Sequence, residues 1–286
     1  MKKNIHLERF LRNCEYIPPL PEIAIRVIQL IDDEEVSAKE LASLMSKDPG
    51  LTSYVLKICN SAEYGLPRTV SSISQALMYL GFHMVRNLVI TSSLREYYEL
   101  ASAVYGYEEG GLWHHSLACA MVAESLCDEC YPDLRDTAFT TGILHDLGQL
   151  VLGMKIGGSN ESIEMLMAEE DITDLKAEQE VLGFSHDLLG GLLAYQWNLP
   201  TSMTLAIRFH HAPSESKRGQ MLTGIIHLAD AIALKLGYGV RVKQLVYPVK
   251  PIAMDMVGID KTQIARVAGI SKDRIEREAS KFVASA

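Results

Sequence analysis

Apolar positions recur every three or four residues along most of the chain, which is the spacing that places side chains on one face of an α-helix. Residues 22–31 show this spacing directly after a proline-rich stretch at 18–21. Asp48 followed by Pro49 is typical of the start of a further helix. The same spacing continues over the apolar residues Leu51, Val55, Ile58, Cys59, Ile73, Leu77, Leu80, Val85, Leu88 and Val89. Since no stretch alternates between apolar and polar residues around hairpin turns, the sequence predicts an all-α fold.

Glycine-rich and polar stretches interrupt this helical pattern. Residues 105–111 indicate a joint between two helical regions, residues 153–162 predict a loop, and residues 237–251 predict strand-like or irregular chain. We therefore expect two packed helical subdomains, one over residues 1–110 and the other over residues 111–286.

The C-terminal region contains a segment, residues 262–275, that imitates a DNA-binding helix-turn-helix, with Ala265 and Gly269 at suitable positions. Residues 260–281 carry six basic and four acidic side chains, a net charge of only +2. A recognition helix usually has a more strongly basic face. The pattern therefore favours a helical hairpin that packs against the rest of the protein.

Charge and composition narrow the classes of partner and compartment. The 286 residues carry a formal net charge of −9, which repels nucleic-acid backbones and anionic membranes unless a local patch reverses the sign. At the start of the sequence, acidic and basic residues precede any apolar stretch, which is not the pattern of a signal peptide. The longest uncharged run, residues 188–207, contains glycine, proline and polar residues that are unfavourable in lipid. Five scattered cysteines suit a reducing compartment. We expect a cytoplasmic protein with no membrane span and no nucleic-acid partner.

Histidine is concentrated in one part of the chain. Seven of the nine histidines lie between residues 114 and 227, and His145 is followed directly by Asp146. Neighbouring helical positions point about 100° apart, so this imidazole and this carboxylate could hold the same cation. Together they suit a divalent transition metal such as Fe, Mn, Zn or Ni. Asp230 lies in an otherwise apolar helical segment, where an acid is costly unless it is paired or coordinated.

These residues resemble a known pattern. His115, the His145-Asp146 doublet and Asp230 are similar to the H…HD…D motif of the HD superfamily of metal-dependent phosphohydrolases. The chain as a whole resembles the HDOD family, the HD-related output domain. The motifs that carry this second resemblance lie at residues 18–21, 48–51, 60–62, 80–81, 112–116, 183–186 and 197–200.

The resemblance implies a helical HD-like bundle in the second subdomain and a centre for one or two metal ions. The ligand set that it implies is His115, His145, Asp146, His186, His210, His211 and Asp230. Asp146 corresponds to the carboxylate that bridges two ions, and His186, His210 and His211 correspond to the histidines that bind the second ion. His227 has no counterpart and is expected to be structural.

Two hypotheses for the function follow from the resemblance. Many HDOD domains lack some of the ligands and are regulatory, whereas here the implied set is intact. The first hypothesis is a signalling module that acts on a protein partner and retains its metal site. The second is a metal-dependent phosphohydrolase that acts on a nucleotide or another phosphoester. Gln149 after Gly148, and the lack of a Gly-Tyr-Pro motif after His211, argue against a cyclic di-GMP hydrolase. The regulatory hypothesis is favoured.

Overall fold

The computed structural model describes residues 4–13, 21–29, 38–61, 66, 68–102, 111–155, 159–170, 172–239 and 248–283. Within these residues every regular element is a helix and none is a strand, which confirms the predicted all-α class. The α-helices are α1 (Ile5–Asn13), α2 (Glu22–Gln29), α3 (Ala38–Met45), α4 (Pro49–Cys59), α5 (Ile73–Ser102), α6 (Gly111–Cys130), α7 (Arg135–Leu144), α8 (Leu147–Lys155), α9 (Ser159–Glu170), α10 (Asp174–Leu182), α11 (His186–Gln196), α12 (Thr201–Phe209), α13 (Gln220–Lys235), α14 (Pro251–Val257) and α15 (Lys261–Val283). Short 3₁₀ helices at Pro132–Leu134 and Pro213–Glu215 complete the list.

The chain divides into two compact units by its internal contacts. The larger unit combines residues 1–19 with 97–272, and the smaller unit combines residues 20–96 with 273–286. The joint that the sequence predicts at 105–111 lies, except for residue 111, outside the described residues. The expected division at 110/111 therefore stays a prediction.

The smaller unit contains α2, α3, α4 and most of α5. Asp48 caps α4 as its sequence predicts, because the carboxylate accepts a hydrogen bond from the backbone N–H of Leu51 at 3.0 Å, and Pro49 takes the first helical position. The side chain of Asn60, just after α4, exchanges two hydrogen bonds of 2.7 Å with the backbone of Val70 and so fixes the approach to α5. Gly81 has a φ of 81° and kinks α5, a conformation that glycine adopts without steric cost.

The larger unit is built around two long helices, α6 and α13, which are buried over most of their length. Helix α7 lies so close to α6 that a Cβ at Gly142 would be 2.6 Å from the Cα of Ala120. Helices α11 and α12 pack against each other, and α12 and α13 are also in contact. All seven candidate ligands lie in this unit.

Two predictions about local structure are wrong. Much of the predicted loop 153–162 is helical, since α8 continues to Lys155 and α9 begins at Ser159. Glycine inside a helix costs only about 1 kcal/mol relative to alanine, and the burial of the apolar face of α8 offsets that cost at Gly153. The predicted hairpin at 262–275 is one continuous helix, because Val267, Ser271 and Ile275 form a single buried stripe at four-residue spacing.

The valine-rich segment that the sequence predicts as irregular, 237–251, is only partly described. Residues 237–239 form a turn, residues 240–247 lie outside the described residues, and α14 begins at Pro251. In the part of the chain that the structure describes, no helix has both the length and the apolar character needed to span a bilayer.

Candidate metal centre

The seven candidate ligands come from the ends and interior of five helices. His115 lies in α6, the His145-Asp146 doublet lies in the turn between α7 and α8, and Asp230 lies in α13. His186 is the first residue of α11, and His210 and His211 directly follow α12. All seven side chains are buried, and the most exposed residue, His211, has 8% of its surface accessible. The structure therefore brings together residues spread over more than a hundred sequence positions.

The first half-site consists of His115, His145, Asp230 and one oxygen of Asp146. His115 Nε2 lies 3.2 Å from His145 Nε2, 3.3 Å from Asp230 Oδ1 and 3.6 Å from Asp146 Oδ2. His145 Nε2 lies 3.3 Å from the same Asp146 oxygen and 4.0 Å from Asp230 Oδ1. Two nitrogen or oxygen ligands bound to one ion at ordinary distances are about 3.0–3.5 Å apart, so most of these spacings fit a single cation.

The second half-site consists of His186, His210, His211 and the other oxygen of Asp146. Asp146 Oδ1 lies 3.6 Å from His186 Nε2 and 3.7 Å from His210 Nε2. His186 Nε2 lies 3.0 Å from His211 Nε2. Asp146 therefore directs one carboxylate oxygen towards each half-site, which is the arrangement of a bridging ligand.

Hydrogen bonds on the outer ring nitrogens determine which nitrogen faces the centre. His145 Nδ1 lies 2.8 Å from Gly142 O, His210 Nδ1 lies 2.7 Å from Ile207 O, and His115 Nδ1 lies 3.1 Å from Tyr238 O. A carbonyl oxygen can only accept, so in each ring Nδ1 carries the donated proton. In a neutral ring Nε2 then carries a lone pair that points into the centre.

These lone pairs make the centre suited to cations. If both rings are neutral, the Nε2 atoms of His115 and His145 face each other at 3.2 Å with no proton between them. His210 Nε2 is buried and has no hydrogen-bond partner among the described residues. Unpaired buried acceptors are costly, and a metal ion would satisfy them. The donor set therefore fits one or two divalent transition metals.

Glu178 supports the second half-site from behind. This buried carboxylate, in α10, accepts hydrogen bonds from His186 Nδ1 at 2.8 Å and from the His186 backbone N–H at 2.7 Å. Burial alone would lower the pKa of His186, but Glu178, and after it Asp146, outweigh burial and raise that pKa to about 10. A carboxylate behind a histidine in this way fixes the ring and makes it a better metal ligand.

The two aspartates of the centre are held in their ionised form. Burial favours the neutral carboxyl, but His145, and after it His186 and His115, lower the pKa of Asp146 well below its ordinary range. For Asp230, burial is again opposed by His115, whose hydrogen bond and charge lower the pKa. Both carboxylates are therefore available as ligands at neutral pH.

His210 and His211 are held neutral. Burial, and then the neighbouring His211 and His145, lower the pKa of His210 well below its usual value. Burial and His186 do the same for His211. A neutral imidazole is the form that coordinates a metal.

His227 has a different environment from the seven candidate ligands. Its Nδ1 donates to the backbone oxygen of His210 at 2.7 Å, and its Nε2 accepts from the backbone N–H of Lys250 at 3.0 Å. Both ring nitrogens are thus engaged with the main chain. This arrangement supports the expected structural role, in which His227 holds the chain at His210 and the segment before α14.

Comparison with known proteins identifies the family. The sequence matches the HDOD domain over residues 17–213, which is more than half of the chain. The chain belongs to the HDOD family. An uncharacterized protein of Treponema pallidum (strain Nichols) is 28% identical to this HDOD chain over 215 residues, which are 70% of the chain and 39% of the relative. The chain thus spans about two fifths of the length of that relative.

Solved structures share the HDOD fold. An HDOD domain protein with unknown function from Geobacter sulfurreducens has a TM-score of 0.83 at 24% identity, and the similarity covers 97% of both chains. A candidate signal transduction protein from Marinobacter aquaeolei VT8 has a TM-score of 0.75 at 21% identity, with 97% of this chain and 65% of that chain covered. At these identities the similarity establishes the fold.

Several residues that shape the HDOD centre were not found from the sequence. Glu178 and Asp174 lie four residues apart on one face of α10. This spacing of two acids is the only signal for Glu178 that the sequence contains. Tyr98 gave no signal. Its hydroxyl donates to the carbonyl of Ile143, one of the carbonyls left unpaired at the end of α7, and its ring lies 5.8 Å from that of Trp113.

Two glycines permit close approach of the backbone at the centre. A Cβ at Gly148, two residues after Asp146, would lie 1.9 Å from the carbonyl oxygen of His186. Gly239 has a φ of 79°, and a Cβ there would lie 2.4 Å from the Cβ of His115. Neither requirement could be inferred from sequence, because each depends on a contact between residues distant along the chain.

Proposed function

We propose that this HDOD chain is a regulatory module that holds two divalent transition-metal ions, Fe, Mn, Zn or Ni, and passes a signal to a protein partner. One observation carries the proposal of a two-ion centre. Asp146 directs Oδ2 to within 3.6 Å of His115 and His145, and Oδ1 to within 3.7 Å of His186 and His210.

Each half-site would supply its own ligands. His115 and His145 would hold one ion and His186, His210 and His211 would hold the other, with Asp146 shared between them. Asp230, whose Oδ1 lies 3.3 Å from His115 Nε2, would complete the first set. When bound, the ions would supply positive charge and Lewis acidity to a phosphate or carboxylate group. Asp146 and Asp230 stay ionised and His210 and His211 stay neutral, which is the form that binds metal. The pKa values of His145 and His186 are raised by their acidic neighbours against the effect of burial, so an entering ion would displace a proton from each of these two rings.

Burial favours regulation over catalysis. A phosphoester substrate has to reach the ions, but no candidate ligand has more than 8% of its surface exposed. An enclosed centre is suited to fixing the relative positions of α6, α7, α11, α12 and α13. Metal occupancy would then change the arrangement that a partner protein recognises.

The second candidate is a metal-dependent phosphohydrolase of a nucleotide or other phosphoester. The observation that favours it is the complete donor set with a bridging carboxylate, which a purely structural module does not need. In this case opening of the cover over His115, formed by Tyr238 and Gly239, would admit the substrate.

A phosphoester screen separates the two candidates. The full chain, loaded in turn with Mn²⁺, Fe²⁺, Zn²⁺ and Ni²⁺, is incubated with p-nitrophenyl phosphate, bis-p-nitrophenyl phosphate and a set of cyclic and linear nucleotides. Asp146→Asn serves as the metal-site control. Regulation predicts no turnover above that of Asp146→Asn with any ion. Metal-dependent turnover that Asp146→Asn abolishes would overturn the regulatory proposal and establish the hydrolase.

A further inference from the structure

An open groove of about 1120 Å³ lies between α1, α11 and α12 of the larger unit, apart from the metal centre. Its walls are mainly apolar, and most of the side chains that form them are partly buried or exposed. The apolar side chains are Ile5, Leu188, Leu192, Tyr195, Leu205, Phe209 and the buried Leu199. Ile5 and Tyr195 have 76% and 73% of their surface accessible, and exposed apolar side chains that line one groove together form the kind of patch that marks a binding site.

Helix α1 forms a fixed wall of this groove. The side chain of Asn4 donates to the carbonyl of Gly183 at 2.9 Å, and the rings of Phe10 and Phe184 are in contact with centroids 5.2 Å apart. Leu7 is buried. The groove is thus part of the folded unit, and its volume lies slightly above the range of about 300–1,000 Å³ that is typical of small-molecule sites.

The polar groups of the groove define the ligand class. The guanidinium of Arg208 is paired with Asp187 at 2.5 Å, so its charge is already compensated. Asn4, Asn198, Thr201 and Thr204 add uncharged hydrogen-bonding groups, and the imidazole of His6 adds a further one. The exposed Glu215 would repel an anion. The lining therefore suits an uncharged, mainly apolar molecule with a few hydrogen-bonding groups.

The two helices that line the groove also carry three of the metal ligands. His186 begins α11, and His210 follows directly after Phe209 of α12, which lines the groove. Helices α11 and α12 are in close contact, since a Cβ at Gly191 would lie 2.6 Å from the Cβ of Arg208. A molecule that moves α12 relative to α11 would therefore move the ligands of the second half-site against one another.

We propose that the groove binds an uncharged, mainly apolar small molecule and that this binding is coupled to metal binding at the second half-site. The binding step stands on the groove alone, whereas the coupling step rests on the proposed metal centre. Regulation of the module would then have a small-molecule input that is separate from the metal centre.

Two matched fluorescent probes test the binding step on the full chain. N-phenyl-1-naphthylamine is uncharged, and 8-anilinonaphthalene-1-sulfonate is the same framework with an added negative charge. We expect saturable binding of one uncharged probe per chain, with weaker binding of the sulfonate. Equal or tighter binding of the sulfonate, or no saturable binding of the uncharged probe, would overturn the assignment.

Variants locate the probe. Leu192→Glu places a charge in the groove and should weaken binding of the uncharged probe at least tenfold, while Met165→Glu, at an exposed residue of α9, should leave it unchanged. Tyr195→Ser changes a side chain so exposed that folding does not depend on it, and it should weaken binding at least threefold. Unchanged binding in both groove variants would show that the probe binds elsewhere and would refute the proposal.

The coupling step is measured by titrating the uncharged probe into metal-free and Mn²⁺-loaded protein. Allosteric coupling typically changes affinity by about fivefold or more, and we expect a change of that size. Equal affinities in the two forms would refute the coupling and leave the binding step standing. If the chain takes up no metal while the probe still binds, the proposed metal centre fails and the groove assignment does not.

Discussion

The hydrogen bonds from His186 to Glu178 predict that the proposed second half-site depends on a residue outside the candidate ligand set. Glu178→Gln keeps the size of the side chain and an acceptor oxygen, but it removes the negative charge behind the imidazole. The change therefore isolates the electrostatic contribution of Glu178 to the ligand His186. Glu180→Gln, two residues further along α10 and at an exposed side chain, is the matched control.

The magnitude follows from the two hydrogen bonds at 2.7 and 2.8 Å. A hydrogen bond to a charged group is worth about 1.5–3 kcal/mol and one between neutral groups about 0.5–1.5 kcal/mol. Each of the two hydrogen bonds is therefore about 1–1.5 kcal/mol weaker in the variant, and the two together are about 2–3 kcal/mol weaker. Loss of such a partner typically lowers metal affinity about 10- to 100-fold. We expect a loss of about 30-fold at the second half-site, which corresponds to about 2 kcal/mol.

Competition with a coloured chelator measures the two affinities separately, because the half-sites release their ions in sequence. Glu178→Gln should lower one affinity about 30-fold and leave the other within about threefold, since the ligands His115 and Asp230 do not contact Glu178. Glu180→Gln should match the unsubstituted protein. If the two variants behave alike, Glu178 does not support the metal centre, and the reasoning from hydrogen-bond geometry is wrong.

Two further predictions concern packing and pH. Gly148→Ala places a methyl group against the carbonyl of His186 and should lower the free energy of unfolding by about 3 kcal/mol, measured by urea denaturation; a loss below about 0.5 kcal/mol would contradict the close approach. Metal affinity at the second half-site should fall as the pH falls from about 9 to about 6, because Glu178 and Asp146 outweigh burial and raise the pKa of His186 to about 10, so a proton competes with the ion for this ring. Chelator competition at about pH 9 and about pH 6 checks this, and equal affinities at the two pH values would contradict it.

The helices were predictable because their signals are local. Asp48-Pro49 predicts the start of α4 from two adjacent residues, and the apolar spacing of Leu51, Val55 and Ile58 predicts its buried face. The local pattern gives the wrong structure where a glycine is read as the end of a helix. Gly153 and Gly269 both lie inside helices, where tertiary packing and a buried stripe of neighbours outweigh their intrinsic preference.

The candidate ligands were predictable for a different reason, since they rest on a resemblance rather than on spacing. The motif points to His115, His145, Asp146 and Asp230, but it contains no information about Glu178, Tyr98 or Gly239. Those residues matter through contacts across the fold, such as the approach of Gly239 to His115, and only the three-dimensional arrangement shows them.

The central claim is that the chain holds two ions that share Asp146. Metal content per chain, measured by plasma mass spectrometry after loading with Mn²⁺ or Zn²⁺ and gel filtration, tests it most directly. Asp187→Asn is the control, because this buried aspartate directly follows the candidate ligand His186 but pairs with Arg208. The account predicts two ions per chain in the unsubstituted protein and in Asp187→Asn, and at most one in Asp146→Asn. Two ions retained by Asp146→Asn, or none bound by the unsubstituted protein, would contradict it.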